Sequence, residues 1–263
     1  MCSFIRQTRS FPSPIRSSGP HLSVPFHDRG FRPSSLKPQS AGHGRPEQLN
    51  HQQNARRRDL KPLALTGGIA SGKSTAARFL TEAGFSRVYD TDAICHELYD
   101  DPTPELSGGM RRLWGDDVVS SSGAIDRSVL SRRLFAAPDR DKAFAALNGL
   151  VHPAVEKRLR EKMDRDEGED GLTLVEVPLL FEIGWERKFS GVIAVWTPRE
   201  IQVSRLMKRG SLSREEAESR LSVQMSGDAK LARADYGLIN NGGPDHLQSQ
   251  CFALTALLKS LPI

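Results

Sequence analysis

Residues 63–80 read LALTGGIASGKSTAARFL, and they decide how the rest of the chain is organised. Leu63, Ala64 and Leu65 form a short apolar run of the kind that ends a buried strand. Residues 67–74 then spell G-x-x-x-x-G-K-S, and residues 75–80 continue with apolar positions at helical spacing. Strand, glycine loop and helix, in that order, is the context of a phosphate-binding loop.

The residue types suit that task. Gly67, Gly68 and Gly72 lack a Cβ, so the backbone can take positive φ and approach a ligand closely. Successive N–H groups through Ile69, Ala70 and Ser71 can then face one concavity at the positive end of a helix, which attracts a polyphosphate. Lys73 supplies a charge for the β- and γ-phosphates. Ser74 supplies the hydroxyl oxygen that Mg²⁺ accepts as a ligand, and Thr75 opens the helix. These residues, from Gly67 to Thr75, are the expected ATP site, with Mg²⁺ as the expected cofactor.

Outside this stretch the composition is uneven. The chain has 263 residues and a net charge of +5. Residues 1–61 hold 11 Lys or Arg against 3 acids, a net of +8, which leaves 26 basic and 29 acidic residues, a net of −3, for the remainder. The basic pI therefore says little about the partner of the main body, and no nucleic acid is expected there. Residues 1–60, rich in Ser, Pro, Arg and Gln, cannot bury enough apolar surface to offset their ordering entropy, so they read as a disordered extension. Their Arg- and Ser-rich character also fits an organellar transit peptide, an alternative to a cytoplasmic location. Three distant cysteines give no disulfide framework and no C-x-x-C metal spacing, as suits a reducing compartment. No apolar stretch approaches the ~18–20 residues that span a bilayer, so a soluble protein is expected.

From residue 61 onwards strands alternate with helices. FSRVYDTD (85–92), LTLVEVPLLFE (172–182), GVIAVWTP (191–198) and ADYGLINNGG (234–243) carry the further strands. Residues 93–170 are helical in pattern, and a capping box of Ser213 and Glu216 opens a later helix. Apolar strands separated by helices predict an α/β fold with a parallel sheet covered by helices.

A phosphate loop alone leaves kinases, GTPases and ATP-driven machines open. The guanine-reading N-K-x-D is absent, but D-T-D (Asp90 to Asp92) closes the strand that follows the loop's helix. In open parallel sheets ligands sit beyond the carboxyl ends of the strands, so these acids would lie near the transferable phosphate. Phosphoryl transfer needs a group that orients the acceptor hydroxyl and takes its proton, and a carboxylate suits that. Of the basic residues Arg205, Lys208, Arg209, Arg214, Arg220 and Lys230, most read as a solvated helix face. Arg205 and Arg209, four apart on one face, are the candidates for holding phosphate charge.

With these residues in view the sequence resembles the dephospho-CoA kinase family over about residues 62–258. ALTGGIASGKST resembles its phosphate loop and VYDTDAICHEL its D-A-D segment. LNGLVHPAV, VEVPLLFEIG, QVSRLMKRGSLSREEAESRLSVQ and ADYGLINNGG resemble its later motifs in the same order. The resemblance implies a P-loop nucleotide-kinase core over 61–263, with a helical substrate-binding insertion at about 97–170 and a lid at about 209–230. It implies transfer of phosphate from ATP to the 3′-hydroxyl of dephospho-CoA. It makes Asp92 the base, and it assigns Asp90, His152 and Leu179 to the acceptor. Asp90 is alternatively a helix cap or a partner of Mg²⁺-bound water. Lys73 and Arg205 fall at the phosphates, with Arg209 beside them, and Asn241 falls near the ATP adenine. Ala70 stands where the family has a third glycine and is expected to keep negative φ. Thr91 is expected to face away from both acids. The runner-up is another small-molecule P-loop kinase. A nucleotide-dependent nucleic-acid binder, using the basic extension as an arm, is the reading from a different class.

Overall fold

The computed structural model describes residues 62–166 and 171–261. The expected disordered extension, residues 1–60, lies outside the described residues. Five parallel strands form one sheet in the order β2-β3-β1-β4-β5, with β1 Leu63–Gly67, β2 Phe85–Asp90, β3 Leu172–Glu176, β4 Gly191–Trp196 and β5 Tyr236–Ile239. The chain travels to one side of β1 for β2 and β3, and to the other side for β4 and β5. The direction changes at β1, whose carboxyl end opens into the glycine loop. A topological switch of this kind is where open α/β sheets bind ligands.

Period-two alternation divides the core between the two faces. Leu63, Leu65, Leu174, Ile193 and Val195 pack against α1 (Lys73–Ala83) and α9 (Pro244–Ser260). Ala64, Val175 and Val192 face the opposite way, into a helical layer inserted between β2 and β3. That layer comprises α2 Thr91–Asp100, α3 Pro104–Trp114, α4 Arg127–Ala136 and α5 Arg140–Arg165. The insertion thus begins directly at the end of β2 rather than near residue 97. β2 lies at the sheet edge and is only half buried, with Val88 37% exposed, so not every strand is covered as the sequence pattern implies.

Each inserted helix is started by a local side chain. Asp90 accepts from Asp92 N (2.8 Å) and Ala93 N (3.4 Å) to start α2. Thr103, Asp126 and Asp139 cap α3, α4 and α5, respectively. Such caps satisfy backbone donors that have no intrahelical partner. Helix α5 runs through Pro153, which has no N–H to donate, and His152 lies mid-helix just before it. After β4 come α6 Arg199–Gly210, α7 Arg214–Ser222 and α8 Gly227–Arg233. The expected capping box opens α7: Ser213 Oγ accepts from Glu216 N, and Ser213 N donates to Glu216 Oε2. The segment read as a lid packs on α6 through Val203, Leu206, Ala217 and Leu221, which also enclose Ile69 of the glycine loop.

Candidate active site

The glycine loop is held from outside itself. Ser71 O accepts from Thr197 Oγ1 (2.8 Å) and from Asn240 Nδ2 (2.8 Å), both buried. Ile69 O accepts from Gln202 Nε2 (2.9 Å), and Ile69 N donates to Gln224 Oε1 (3.1 Å). Gly72, the cap of α1, has φ +97°, and a Cβ there would run into the Asn240 amide, so only glycine fits both the conformation and the space. A Cβ on Gly68 would stand 2.7 Å from Gln202 Nε2.

Ala70 departs from expectation. Its φ is +58°, in the left-handed region, where a Cβ crowds the following carbonyl at a cost of ~1–2 kcal/mol. The conformation persists because neighbouring groups fix it: Ile69 is tied on both sides, and Ala70 O accepts from Arg205 Nη1 (3.1 Å). Arg205 therefore does reach the loop, through its carbonyl. Arg209 is exposed in the last turn of α6, and no contact brings it to the loop among the described residues. Arg214 pairs on the surface with Glu200 and Glu218. Asn241 lies in the exposed turn after β5, whereas the preceding residue, Asn240, is the one that touches the loop.

At the amino end of α1, Lys73 Nζ donates to Gly67 O (3.0 Å) and Gly68 O (3.1 Å), and the exposed Ser74 follows it. Facing this end are the carboxyl termini of β2 and β3. Parallel register sets Glu176 between Asp90 on one neighbouring strand and Leu65 on the other. Burial and the adjacent Asp90 push the Glu176 carboxyl up to about 7; Lys73 pulls it down, and Asp92 adds to the rise. One carboxylate thus feels the loop's lysine and both acids of D-T-D, so donor loop and acid pair meet at one point. The oxygen donors there are hard and few: Ser74 and these carboxylates. Among the described residues no preformed group of three or more His, Cys, Asp or Glu could hold a metal. Such a set suits an ion that keeps most of its waters and arrives on a polyphosphate, which describes Mg²⁺.

Beyond the acids lies a narrow apolar pocket between the end of β3 and α5, walled by Val155, Val177, Leu179, Ile183 and Trp185. Thr91 lines it too, with its buried hydroxyl donating to Glu176 O (2.9 Å), which turns this side chain away from the two acids of D-T-D toward β3. His152 enters the same wall. Its ring meets Trp185 edge-on at 5.8 Å, and its Nε2 is buried without a hydrogen-bonding partner. Burial holds its pKa below the ordinary imidazole value, which favours the neutral ring.

Sequence reading missed several residues. A charged side chain inside the apolar run LTLVEV was the available sign for Glu176. Gln202, Gln224 and Asn240 act through backbone groups far away in sequence, which no local pattern reveals. Lys230, grouped with the basic face, is completely buried, donating to Glu182 Oε2 (2.9 Å) and Pro178 O (2.8 Å).

The family described as dephospho-CoA kinase matches residues 62–245. Dephospho-CoA kinases of Symbiobacterium thermophilum and Anaeromyxobacter dehalogenans are 42% and 38% identical to the chain; the matches cover 73% and 76% of this chain and 78% and 93% of theirs. A crystal structure from Thermus thermophilus superposes with a TM-score of 0.63 at 35% identity, covering 78% of this chain and 99% of that one. A dephospho-CoA kinase structure from Campylobacter jejuni gives 0.56 at 28% identity, covering 75% and 96%.

Proposed function

The chain belongs to the dephospho-CoA kinase family, and from that premise we propose which of its residues carry each part of the reaction. The reaction moves the γ-phosphoryl group of ATP to the ribose 3′-hydroxyl of 3′-dephospho-CoA, giving coenzyme A and ADP in the last step of coenzyme A synthesis. The observation that supports the assignment is the parallel register that sets Glu176 beside Asp90 at the carboxyl end of the sheet, where burial, Asp90, Lys73 and Asp92 all act on its carboxyl.

The triphosphate lies along the loop from Gly67 to Thr75, with its β- and γ-phosphates at Lys73; the Ile69 N–H, which donates to Gln224, is not among its donors. Asp92, in the first turn of α2, accepts the proton of the 3′-hydroxyl as that oxygen attacks the γ-phosphorus. The bond from the γ-phosphorus to the β,γ-bridging oxygen breaks, and the electron pair leaves on ADP. Asp90 spends its carboxylate on capping α2 and so holds Asp92 in place. Arg205, anchored on Ala70 O, has N–H groups left to meet phosphate charge. Arg209 and Asn241 are retained as outer ATP contacts, from the exposed end of α6 and the turn after β5. Glu176, its carboxyl pushed up to about 7, is only partly ionised near neutral pH and so adds less than a full negative charge beside the triphosphate. Ser74 would hold Mg²⁺, which would supply charge neutralisation at the phosphoryl oxygens. The acceptor nucleoside sits against Leu179, and His152 Nε2 is the free polar atom of that wall.

No described helix is long and apolar enough to cross a membrane. We place the enzyme in the cytoplasm, or in an organelle should residues 1–60 act as a transit peptide; fractionation of a tagged full-length chain decides between them. ADP release by the purified protein with ATP, Mg²⁺ and dephospho-CoA tests the function. Turnover no higher than without acceptor sinks it. Lys73→Ala, which removes a preorganised charge at the phosphates, should cost about a hundredfold in kcat, or ~3 kcal/mol.

A further inference from the structure

We infer that Gln224 is a positioning residue for the nucleotide, and that through it the acceptor side of the site sets the shape of the phosphate loop. The inference rests on the kinase assignment above and extends it from chemistry to communication between the two substrates.

The first observation concerns the two peptides that flank Ile69 in the loop. Both backbone polar groups of Ile69 are taken by side-chain amides from elsewhere: the N–H by Gln224 Oε1 (3.1 Å), the carbonyl by Gln202 Nε2 (2.9 Å). Ile69 is 5% exposed, so no water can readily substitute for either partner. Ala70, next in the chain, holds the unfavourable φ of +58°. The directions of the 68–69 and 69–70 peptides decide where the following N–H groups point, and these are the groups that face phosphate. Without the Gln224 oxygen the Ile69 N–H, which belongs to the 68–69 peptide, loses its acceptor; that peptide is then free to turn, and only the Gln202 and Arg205 contacts on the following carbonyls are left to hold Ala70 in its strained conformation.

The second observation concerns what holds Gln224. Its neighbour Met225 donates its N–H to Glu182 Oε1 (3.0 Å). Glu182 also binds the fully buried Lys230, whose Nζ donates to Pro178 O (2.8 Å). Pro178 and Leu179 belong to the wall of the acceptor pocket. Residues 224–230 therefore form a strap, with one end on the phosphate loop and the other on the acceptor wall. Its ion pair is buried at the lysine end and tolerates little displacement there, because the buried ammonium depends on the Glu182 carboxylate. Movement of that wall carries Glu182 and Met225 with it and shifts the Gln224 oxygen against Ile69. Such coupling is reciprocal by thermodynamic necessity.

The test is calorimetry of a non-hydrolysable ATP analogue with Mg²⁺, without and with saturating dephospho-CoA, on the full chain and on Gln224→Met. Methionine keeps the length and removes the acceptor. In the unaltered protein, dephospho-CoA should change analogue affinity at least ~5-fold, the low end of typical coupling. In Gln224→Met, analogue binding should weaken about tenfold, the coupling should fall to within about twofold of unity, and kcat at saturating ATP should stay within about threefold. A merely structural glutamine would lower the melting temperature and leave the coupling intact. Equal coupling in the two proteins, or none in the unaltered one, overturns the inference. Coenzyme A formation by the same unaltered preparation reports on the reaction separately.

Discussion

The phosphate loop presents backbone to its ligand, and the ends of β2 and β3 present side chains. In the loop, Ile69, Ala70 and Ser71 each have a carbonyl held by a donor from α6 or from the segments beside β4 and β5. Its carbonyls are all engaged by the protein itself. Across the cleft Glu176 is pushed toward neutrality by burial and by Asp90, and His152 Nε2 is buried without a hydrogen-bonding partner. One half of the site is over-determined, and the other keeps unsatisfied groups for its substrate to satisfy. Side-chain changes at Asp92 and His152, which lie outside the 224–230 strap, should therefore alter chemistry and acceptor binding while leaving ATP affinity in the absence of acceptor nearly untouched.

The strongest test of that division is Asp92→Asn. It keeps the shape and removes the basicity, so single-turnover coenzyme A formation should fall by about 10²–10⁴-fold. ATP affinity, measured by calorimetry, should change less than about threefold. Asp90→Asn, assayed alongside, should lose less activity, because asparagine caps a helix about as well as aspartate and α2 keeps its start. Normal turnover by Asp92→Asn beside a dead Asp90→Asn would exchange the two roles.

His152 sharpens the comparison next. His152→Ala should raise KM for dephospho-CoA roughly tenfold, the effect of losing one hydrogen bond and its packing, with KM for ATP unchanged. Parallel increases in both KM values would mean that the pocket supports the fold as a whole.

How much of this was legible depends on distance along the chain. Strand, loop and α1 are contiguous, so their chemistry appears within eighteen letters, and β2 with D-T-D follows directly. Glu176 acquires its meaning only when three parallel strands come into register, bringing Asp90 and Leu65 beside it from far upstream. Asn240 and Asn241 are indistinguishable as letters; the path of the backbone buries the first against Ser71 O and leaves the second in water. Ala70 was misjudged because its φ is set by Gln202, Arg205 and Gln224, all more than a hundred residues downstream. Lys230 read as a surface charge because its partner Glu182 is likewise far away in sequence.

Glu176 offers a smaller effect, with a definite sign. Its folded pKa of about 7 lies above the ordinary carboxylate value of 4.5, so between those values the folded chain binds more protons than the unfolded one. Stability therefore falls as pH rises through that window and is lowest above it. After allowance for partial solvent screening, the cost is on the order of 1–2 kcal/mol. Glu176→Gln should raise the melting temperature by about 3–6 °C at pH 8 and hardly at all at pH 5, by differential scanning calorimetry. A gain of equal size at both pH values would show that charge is not the cause.

The smallest effect is expected from removing residues 1–60. Nothing in their composition can join a packed core, so kcat/KM of the shortened enzyme should stay within about threefold. A hundredfold loss in soluble shortened protein would add that segment to one half of the site.

The strand order β2-β3-β1-β4-β5 also bears on the route by which the chain finds its fold. β2 precedes its only partner, β3, by the whole of the inserted helical layer, so pairing them means closing a long loop. Loop closure costs entropy before any contact offsets it, and the helices α2–α5, built from local hydrogen bonds, shorten that span if they form first. The acceptor-binding layer would then act as an internal splint for the sheet. As the edge strand, β2 should be the earliest to exchange its amide hydrogens, and β1, flanked on both sides, among the last. On this route Asp92, the proposed base, reaches its position at the end of β2 late, after the phosphate loop beside β1 has already taken shape.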